Sequence, residues 1–187
     1  DNTTYDTDAN VDVDNIIPNE DNVATITRYV SGQTYVLTDG GLKSIVVGEL
    51  DGSGAFTDTD GSGNTLNILT NKGDDFTFTG AIGDDTNSKM NVVAIGHGTQ
   101  TISGASALDT RGSLTVGVGT DAGTLKLSGA TGADSHDVAY IQGVSTATLQ
   151  LDDGSNIQIG LHDGTSRITE DPNNAGNAVD FAGNITL

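Results

Sequence analysis

The chain has 187 residues, a hydrophobic share of 34% and no cysteine, so disulfides and thiolate metal sites are excluded. Its 7 Lys and Arg against 26 Asp and Glu give a formal charge of −19, which makes nucleic acid and anionic membranes poor partners. No apolar run approaches the roughly 18 residues of a membrane-spanning helix, so we expect no membrane insertion. The length suits one domain, and the low apolar content predicts a thin core.

Residues 1–22 form an acidic N-terminal arm. Val11 and Val13 alternate with Asp12 and Asp14, which predicts a short strand with one apolar edge. A solvated tail is one interpretation, and an extended arm that adds a strand to a neighbouring subunit is the other. On the second interpretation, Val11 and Val13 are interface residues.

Three segments between residues 23 and 47 have the composition of β-strands. They are rich in β-branched and aromatic side chains, and glycine-containing turns separate them. This pattern predicts a meander of three strands joined by tight turns. Tyr29, Tyr35 and Phe56 are expected to cap its apolar face, because each aromatic ring covers a large area.

A short pattern recurs three times between residues 66 and 130. Each copy has an alternating apolar strand, a polar turn, and a second strand that closes on a hydroxyl residue, Gly and Ala. The closing glycines are Gly80, Gly104 and Gly129, so the pattern recurs at a nearly constant interval. A period of about 24 to 25 residues indicates one supersecondary unit used repeatedly. A fourth copy, in altered form, spans residues 147–160.

Two architectures fit these repeats. Stacked copies would form a β-solenoid, whereas hairpins, with residues 152–155 as one of the turns, would build a sandwich. We predict a single all-β domain over residues 23–187, an antiparallel β-sandwich built from hairpin repeats, with a short β-solenoid as the alternative. The best helix candidate, residues 132–142, could hold one turn at most.

The last predicted strand spans residues 178–187. Val179, Phe181, Ile185 and Leu187 share one parity, so one face of this strand is apolar. A strand of this kind at a chain end should be paired and buried, either within its own fold or in the next subunit. We therefore predict that these four residues belong to an interface.

The most specific local motif is the loop from Asp58 to Asn64, which resembles the first half of an EF-hand calcium loop. Asp58, Asp60 and Ser62 place oxygen atoms at alternate positions, and Ca²⁺ takes roughly six to eight oxygen ligands. Leu69 stands where the closing glutamate would be, so an EF-hand proper is excluded. A calcium-stapled β-loop with ligands Asp58, Asp60, Ser62 and Asn64 is predicted, and an ordinary Asp/Gly turn is the alternative.

Three further acidic pairs lie in predicted turns, at residues 74–75, 84–85 and 152–153. They could bind cations in a row along one edge of the repeats, or they could reflect the preference of turns for aspartate. The sequence contains few residues suited to catalysis. His97, His136 and His162 lie in turns rich in Gly and Asp, and no Gly-x-Ser-x-Gly elbow occurs. We expect no enzymatic role.

Residues 123–130, 147–160 and 181–187 resemble the repeats of bacterial autotransporter passengers and related surface-layer or adhesin proteins, over about half the chain. The resemblance implies export to the cell surface, an all-β fold and a structural or adhesive role. We therefore expect a structural subunit of an extracellular filament or surface layer, bound to copies of itself through terminal strands, with Ca²⁺ as a candidate stabilising ion. The alternative is an adhesin segment that binds a host or glycan ligand.

Overall fold

A computed structural model describes the chain over residues 4–5, 22–84, 88–105, 107–121, 123–130, 135–151, 155, 157–159, 179–181 and 184–186. For residues 4–5, 179–181 and 184–186 it describes the backbone alone. All regular secondary structure in these ranges is β-strand. None of the described segments forms a helix that could span a membrane.

The strands form three sheets. Sheet A contains, in spatial order, β1 (Thr4–Tyr5), β2 (Val23–Arg28), β4 (Ser44–Glu49), β6 (Thr65–Thr70), β9 (Asn91–Gly96), β11 (Asp109–Val116), β13 (His136–Gly143) and β15 (Ile157–Ile159), and β16 (Val179–Phe181) also pairs with β13. Sheet B contains β3 (Thr34–Leu37), β5 (Ala55–Asp58) and β8 (Ala81–Ile82). Sheet C contains β7 (Asp75–Phe78), β10 (Thr99–Ser103), β12 (Thr124–Ser128), β14 (Thr148–Leu151) and β17 (Asn184–Thr186).

All strand pairs within these sheets are parallel, and the chain winds through them as a β-solenoid of about five turns. The all-β prediction is confirmed, but the antiparallel sandwich is wrong and the solenoid alternative is correct. The predicted meander over residues 23–47 is also wrong. Its second strand, β3, lies in sheet B, while the first and third, β2 and β4, pair in parallel in sheet A. Tight turns link successive strands around a corner instead of folding them back on each other.

The turn length changes along the solenoid. In sheet A, Val23 pairs with Ser44 and Ser44 pairs with Thr65, so each of the first turns takes about 21 residues. In sheet C, Asp75 pairs with Thr99 and Thr99 pairs with Thr124, so a later turn takes about 24 to 25 residues. The interval between the closing glycines of the sequence repeats is therefore the stacking register of sheet C.

The fourth repeat predicted from the sequence is out of phase with the other three. In each earlier copy the first strand lies in sheet A and the second in sheet C. In residues 147–160 the order is reversed, because β14 stacks on β12 in sheet C and β15 then pairs with β13 in sheet A. The hairpin turn proposed at residues 152–155 is thus wrong. In this part of the solenoid, β13 is the sheet A strand that precedes β14. It overlaps residues 132–142, the best helix candidate from the sequence.

The core is a set of aliphatic columns between the sheets. In β2, β4, β6, β9, β11 and β13 of sheet A, alternate side chains point inward and stack on the equivalent residue of the next turn, as in the column Ala24, Ile45, Leu66, Val92, Leu114 and Ile141. These residues are almost completely buried. A single turn cannot bury its inner face alone, so stacking of neighbouring turns provides the hydrophobic stabilisation.

An aromatic cluster fills the first turns. Phe56 stacks on Tyr35, with ring centroids 5.4 Å apart, and contacts Tyr29 at 5.4 Å and Phe78 at 5.7 Å. The four rings have relative exposures of 5% or less. The aromatic residues expected to cap an apolar face therefore lie inside the core. The Tyr29 hydroxyl donates a hydrogen bond to the Gln33 carbonyl oxygen at 2.6 Å, which satisfies its polar end.

Candidate functional site

The four residues predicted to bind calcium lie together in the corner between sheet B and sheet A. Asp58 ends β5 and is buried, with 3% of its surface exposed. One of its carboxylate oxygens accepts hydrogen bonds from the backbone N–H groups of Asp60 and Gly61, at 3.2 and 3.1 Å. The other accepts from the N–H of Asn64 at 3.1 Å. Asp58 thus holds both ends of the loop.

Asp60 lies at the centre of a second set of hydrogen bonds. Its Oδ1 accepts from the Ser62 hydroxyl, from the Ser62 N–H at 3.1 Å and from the Asn64 amide at 3.2 Å. Its Oδ2 accepts from the N–H of Asp39, which belongs to the preceding turn. The Ser62 hydroxyl first, and then the backbone N–H of Asp39, hold the pKa of Asp60 well below its usual range. The carboxylate therefore links two turns of the solenoid.

This geometry has a direct consequence for calcium. Ca²⁺ binds through oxygen lone pairs, and both oxygens of Asp58 and Asp60 accept hydrogen bonds from N–H or O–H groups. A bound cation would share these oxygens with their hydrogen-bond donors, since a carboxylate offers about four lone-pair sites. Among the described residues there is no group of three or more His, Asp or Glu placed to hold a metal ion. The calcium site stays a prediction, and the hydrogen bonds alone explain how the loop folds.

The sequence carries a further signal for this corner. Thr38-Asp39-Gly40 and Thr59-Asp60-Gly61 are the same tripeptide, one turn length apart. The pairing of Leu37 with Asp58 places the two tripeptides one above the other. Both copies precede the repeats at residues 66–160, so the longer pattern does not include them.

The other acidic pairs do not form one row. Asp74 and Asp75 lie at the start of β7, in the corner between sheets A and C, whereas Asp84 follows β8 in the corner between sheets B and A. Asp85, Asp152 and Asp153 lie outside the described residues. The described members of these pairs therefore belong to different corners of the solenoid.

The histidines serve different purposes. His136 is fully buried, and its Nδ1 accepts a hydrogen bond from the Leu108 N–H at 3.3 Å while its Nε2 lies 3.2 Å from the Ser128 carbonyl oxygen. These partners select the neutral ring with the proton on Nε2. Burial lowers the pKa of His136, against smaller opposing effects of the Ser128 carbonyl and the Asp137 carboxylate.

No catalytic arrangement follows from these groups. The ring nitrogens of His136 are occupied by backbone partners, and the Ser135 hydroxyl donates to Asp137 at 2.6 Å. His97 lies on the surface, where its Nε2 is 3.2 Å from an Asp121 carboxylate oxygen. His162 lies outside the described residues.

The predicted interface residues fall partly within the described strands. Val179 and Phe181 lie in β16, which pairs with Ile141 to Gly143 of β13, and Ile185 lies in β17, which pairs with β14. The single strand predicted over 178–187 is therefore two short strands in different sheets. Both strands pair within the chain's own fold, which was one of the two expected arrangements. Val11, Val13 and Leu187 lie outside the described residues.

The central part of the outward side of sheet A carries no charge. Its half-buried and exposed side chains alternate with the core columns along the six strands β2, β4, β6, β9, β11 and β13. We call this surface the neutral face, and it consists of Val23, Thr25, Thr27, Ser44, Val46, Gly48, Thr65, Asn67, Leu69, Asn91, Val93, Ile95, Ser113, Thr115, Tyr140 and Gln142. Hydrogen bonds between turns order its polar members, for example from the Gln142 amide to the Thr115 hydroxyl at 2.7 Å.

Charged residues bound the neutral face at its margins. Arg28 and Glu49, at the ends of β2 and β4, form an ion pair with a separation of 3.5 Å. Asp109, Arg111 and Asp137 lie in the first parts of the longer strands β11 and β13. The uncharged surface is therefore a defined patch inside a charged frame.

An open groove of about 300 Å³ lies at the end of the neutral face, next to the loop after β11. Thr115 and Gln142 line it together with three glycines and with Val118 and Val144. This volume is at the lower end of the range of small-molecule sites. The described lining has no ionisable side chain, so it offers no group for acid or base catalysis.

Comparison of the chain with protein-family models, with curated proteins and with solved structures gave no match. The interpretation of function therefore rests on the geometry described above and on the sequence.

Proposed function

We propose that this chain is a structural subunit of an extracellular assembly, a filament or surface layer, whose copies join end to end through their terminal strands. The observation that carries the proposal is that segments from both chain ends add to the sheets as parallel strands. Near the N-terminus, β1 pairs with β2, and near the C-terminus β16 and β17 pair with β13 and β14. The end strands of a sheet present unpaired backbone N–H and C=O groups, on which a further strand can form.

The spacing along the chain supports an exchange of this kind. Thr4 pairs with Thr25, and the segment from Asp6 to Asp21 connects Tyr5 to the beginning of the described solenoid at Asn22. When extended, a segment of this length can span up to about 53 Å. The same strand could therefore be supplied to β2 by a neighbouring copy instead of by its own chain. Parallel pairing in that case would continue sheet A from one subunit to the next.

The test is the mass of the full chain as a function of concentration, measured by light scattering and followed by negative-stain microscopy. We expect ordered species well above the monomer mass of 19.0 kDa. Removal of residues 1–17, which eliminates β1, or of residues 178–187, which eliminates β16 and β17, should reduce them to monomers. Removal of residues 1–3 alone is the matched control, because it leaves β1 in place and should leave assembly unchanged.

A full chain that stays monomeric at every concentration would contradict this proposal. That result would favour the alternative role as an adhesin segment, and the next experiment would be binding to glycan arrays and host cells.

A further inference from the structure

The dipeptide Asp-Gly, in which aspartate rearranges most readily to isoaspartate, occurs five times in the chain, at Asp39, Asp51, Asp60, Asp153 and Asp163. The reaction starts when the backbone nitrogen of the next residue attacks the aspartate Cγ, and glycine favours it because no Cβ shields that nitrogen. Asp153 and Asp163 lie outside the described residues. The other three are exposed and follow strands at corners of the solenoid, so their surroundings can be compared directly.

Hydrogen bonds hold both reacting groups of Asp60-Gly61. The Gly61 N–H donates to Oδ1 of Asp58 at 3.1 Å, so the nitrogen that would attack is already engaged. The Asp60 carboxylate accepts from the Ser62 hydroxyl and from the Asp39 N–H. These donors lower the pKa of Asp60 and keep it ionised, and a carboxylate is a poorer electrophile than a carboxylic acid. Rearrangement at Asp60 therefore requires the loop to open.

A neighbouring turn holds Asp51-Gly52. The Gly52 N–H donates to the Thr77 carbonyl oxygen at 2.9 Å, and Gly52 forms a parallel bridge with Phe78. The Asp51 carboxylate accepts a further hydrogen bond from the Thr77 N–H at 3.3 Å. Attack by the Gly52 nitrogen would break this pairing between turns, so the reaction here also has to give up a backbone hydrogen bond.

Asp39-Gly40 lacks these restraints. Residues 38–41 form a β-turn that is closed by a hydrogen bond from the Gly41 N–H to the Thr38 carbonyl oxygen at 3.2 Å, with Asp39 and Gly40 at its two central positions. The N–H of the third turn residue takes no part in that bond, and the Gly40 N–H has no acceptor among the described residues. The Asp39 carboxylate pairs with the exposed Lys43 ammonium at 3.3 Å, and surface ion pairs of this kind are weak.

We propose that the fold selects Asp39, among the three described Asp-Gly sites, for conversion to isoaspartate. The Gly40 nitrogen bonds to the Asp39 Cγ, and the hydroxyl group of the carboxyl and the amide hydrogen leave as water. Water then adds to the α-carbonyl carbon of the succinimide and opens it, so the main chain runs through the former side chain and gains one methylene. This extra length lies in the turn that the Thr38 N–H and the Leu42 carbonyl oxygen join at 2.9 Å. Because the Asp39 N–H also donates to Asp60, conversion should loosen the contact between the first two turns and lower the thermal midpoint.

The test is incubation of the full chain at physiological temperature and neutral pH, followed by peptide mapping. Isoaspartate has the mass of aspartate, but its peptides elute separately and give distinct fragments in electron-transfer mass spectrometry. We expect about tenfold more isoaspartate at residue 39 than at residue 51 or 60, the factor for about 1.4 kcal/mol, which is the size of one backbone hydrogen bond that the attacking nitrogen gives up. In urea, which unfolds the chain and removes those hydrogen bonds, the three sites should react at similar rates.

Two variants test the chemistry. Asp39→Glu lengthens the side chain and disfavours the five-membered ring, and Gly40→Ala hinders the attacking nitrogen, so both should suppress the product at this site. An added Cβ at Gly40 meets nothing within 4 Å, so Gly40→Ala should fold. Asp51→Glu is the matched control and should leave the product at residue 39 unchanged.

Three results would overturn the proposal. The first is a folded chain in which isoaspartate is as abundant at residue 51 or 60 as at residue 39. The second is a folded chain without isoaspartate at residue 39, although the product forms there in urea. The third is a preference for residue 39 that persists in urea, because the local sequence would then select the site and the fold would not.

Discussion

The first two turns of the solenoid and the later turns fill their cores with different kinds of side chain. In the first turns, sheets A and B enclose large aromatic rings, and Val23, Ser44 and Thr65 mark a short register. In the later turns, sheets A and C enclose aliphatic side chains such as Ile102 and Leu127, and the sheet C register is longer. Sheets B and C overlap in the turn that contains β7 and β8, and isolated bridges from Phe78 to Gly52 and from Ile82 to Leu108 extend each sheet into a neighbouring turn. Sheet A is the common element that runs through both regions.

The largest expected effect is in the aromatic region. Phe56→Ala removes the ring that contacts Tyr29, Tyr35 and Phe78, and the cavity should lower the free energy of unfolding by about 3–5 kcal/mol. The measurement is urea denaturation at constant temperature. Ile102→Val, a much smaller deletion at a fully buried position of the aliphatic region, should cost about 0.5–1.5 kcal/mol.

The shape of the two transitions tests how tightly the regions are coupled. A solenoid transmits stability through contacts between neighbouring turns, so we expect both variants to unfold in one transition at a lower urea concentration. A separate early transition in Phe56→Ala alone would show that the first turns unfold independently of the later ones. A loss for Phe56→Ala no greater than that for Ile102→Val would contradict the importance of the aromatic cluster.

A second prediction concerns the backbone contact between the regions. A Cβ atom at Gly80 would lie closer than 3.0 Å to the backbone oxygen and nitrogen of Gly54 in the turn below. Gly80→Ala should therefore force the two turns apart and cost about 1–3 kcal/mol, the usual range for overpacking. Gly40→Ala is the control, because an added Cβ there meets nothing within 4 Å. Equal thermal midpoints for the two variants would show that the turns can separate without loss.

The same glycine shows why part of the fold was readable from sequence. Gly80 recurs as Gly104 and Gly129 at a nearly fixed spacing, and this spacing is the true register of sheet C. Alternation within each strand predicts which side chains are buried, but it is the same in parallel and antiparallel sheets. The choice between sandwich and solenoid depended on partners distant in sequence. The repeated Thr-Asp-Gly at residues 38–40 and 59–61 was the available signal for parallel stacking in the first region.

The candidate site was predictable to a similar degree. The sequence grouped Asp58, Asp60, Ser62 and Asn64 in one loop, because alternate oxygen-bearing residues around glycines form a tight turn, and hydrogen bonds do join them. It could not show that N–H and O–H groups occupy the carboxylate oxygens, nor that Asp39 from the preceding turn contributes one of them. The neutral face could not be predicted from the sequence either, because it consists of residues brought together from six separate strands.

A smaller effect is expected from His136 in the later turns. Burial lowers its pKa in the folded state below the ordinary value of 6.5, so the unfolded chain takes up a proton first as the pH falls. Above that value both states are neutral and the histidine has no effect on pH dependence. As the pH falls from 6.5 toward the lowered folded pKa, stability decreases. Protonation of Nδ1 would also set a new N–H against the Leu108 N–H.

The measurement is the thermal midpoint of the wild type between about pH 7 and pH 5, the range in which an unfolded histidine titrates, beside two variants. His136→Gln should show a flatter profile in this range, although it is less stable at neutral pH. Asn67→Gln, which removes no titratable group, should keep the wild-type slope. A wild-type profile parallel to that of His136→Gln would contradict the assignment of the pH dependence to this residue.

The smallest expected effect is that of calcium on the corner of the first region, where Asp60 joins two turns. If the predicted site binds Ca²⁺ with the millimolar affinity of extracellular modules, an excess of calcium should raise the thermal midpoint by about 2–4 °C relative to chelator. Asp60→Asn should abolish the increase, whereas Asp51→Asn, at another exposed corner, should retain it. Equal midpoints in calcium and chelator would show that the N–H and O–H donors of Asp39, Ser62 and Asn64 satisfy Asp60 by themselves. The corner would then be a hydrogen-bonded link between turns, and its repeated aspartates would mark turn geometry instead of a metal site.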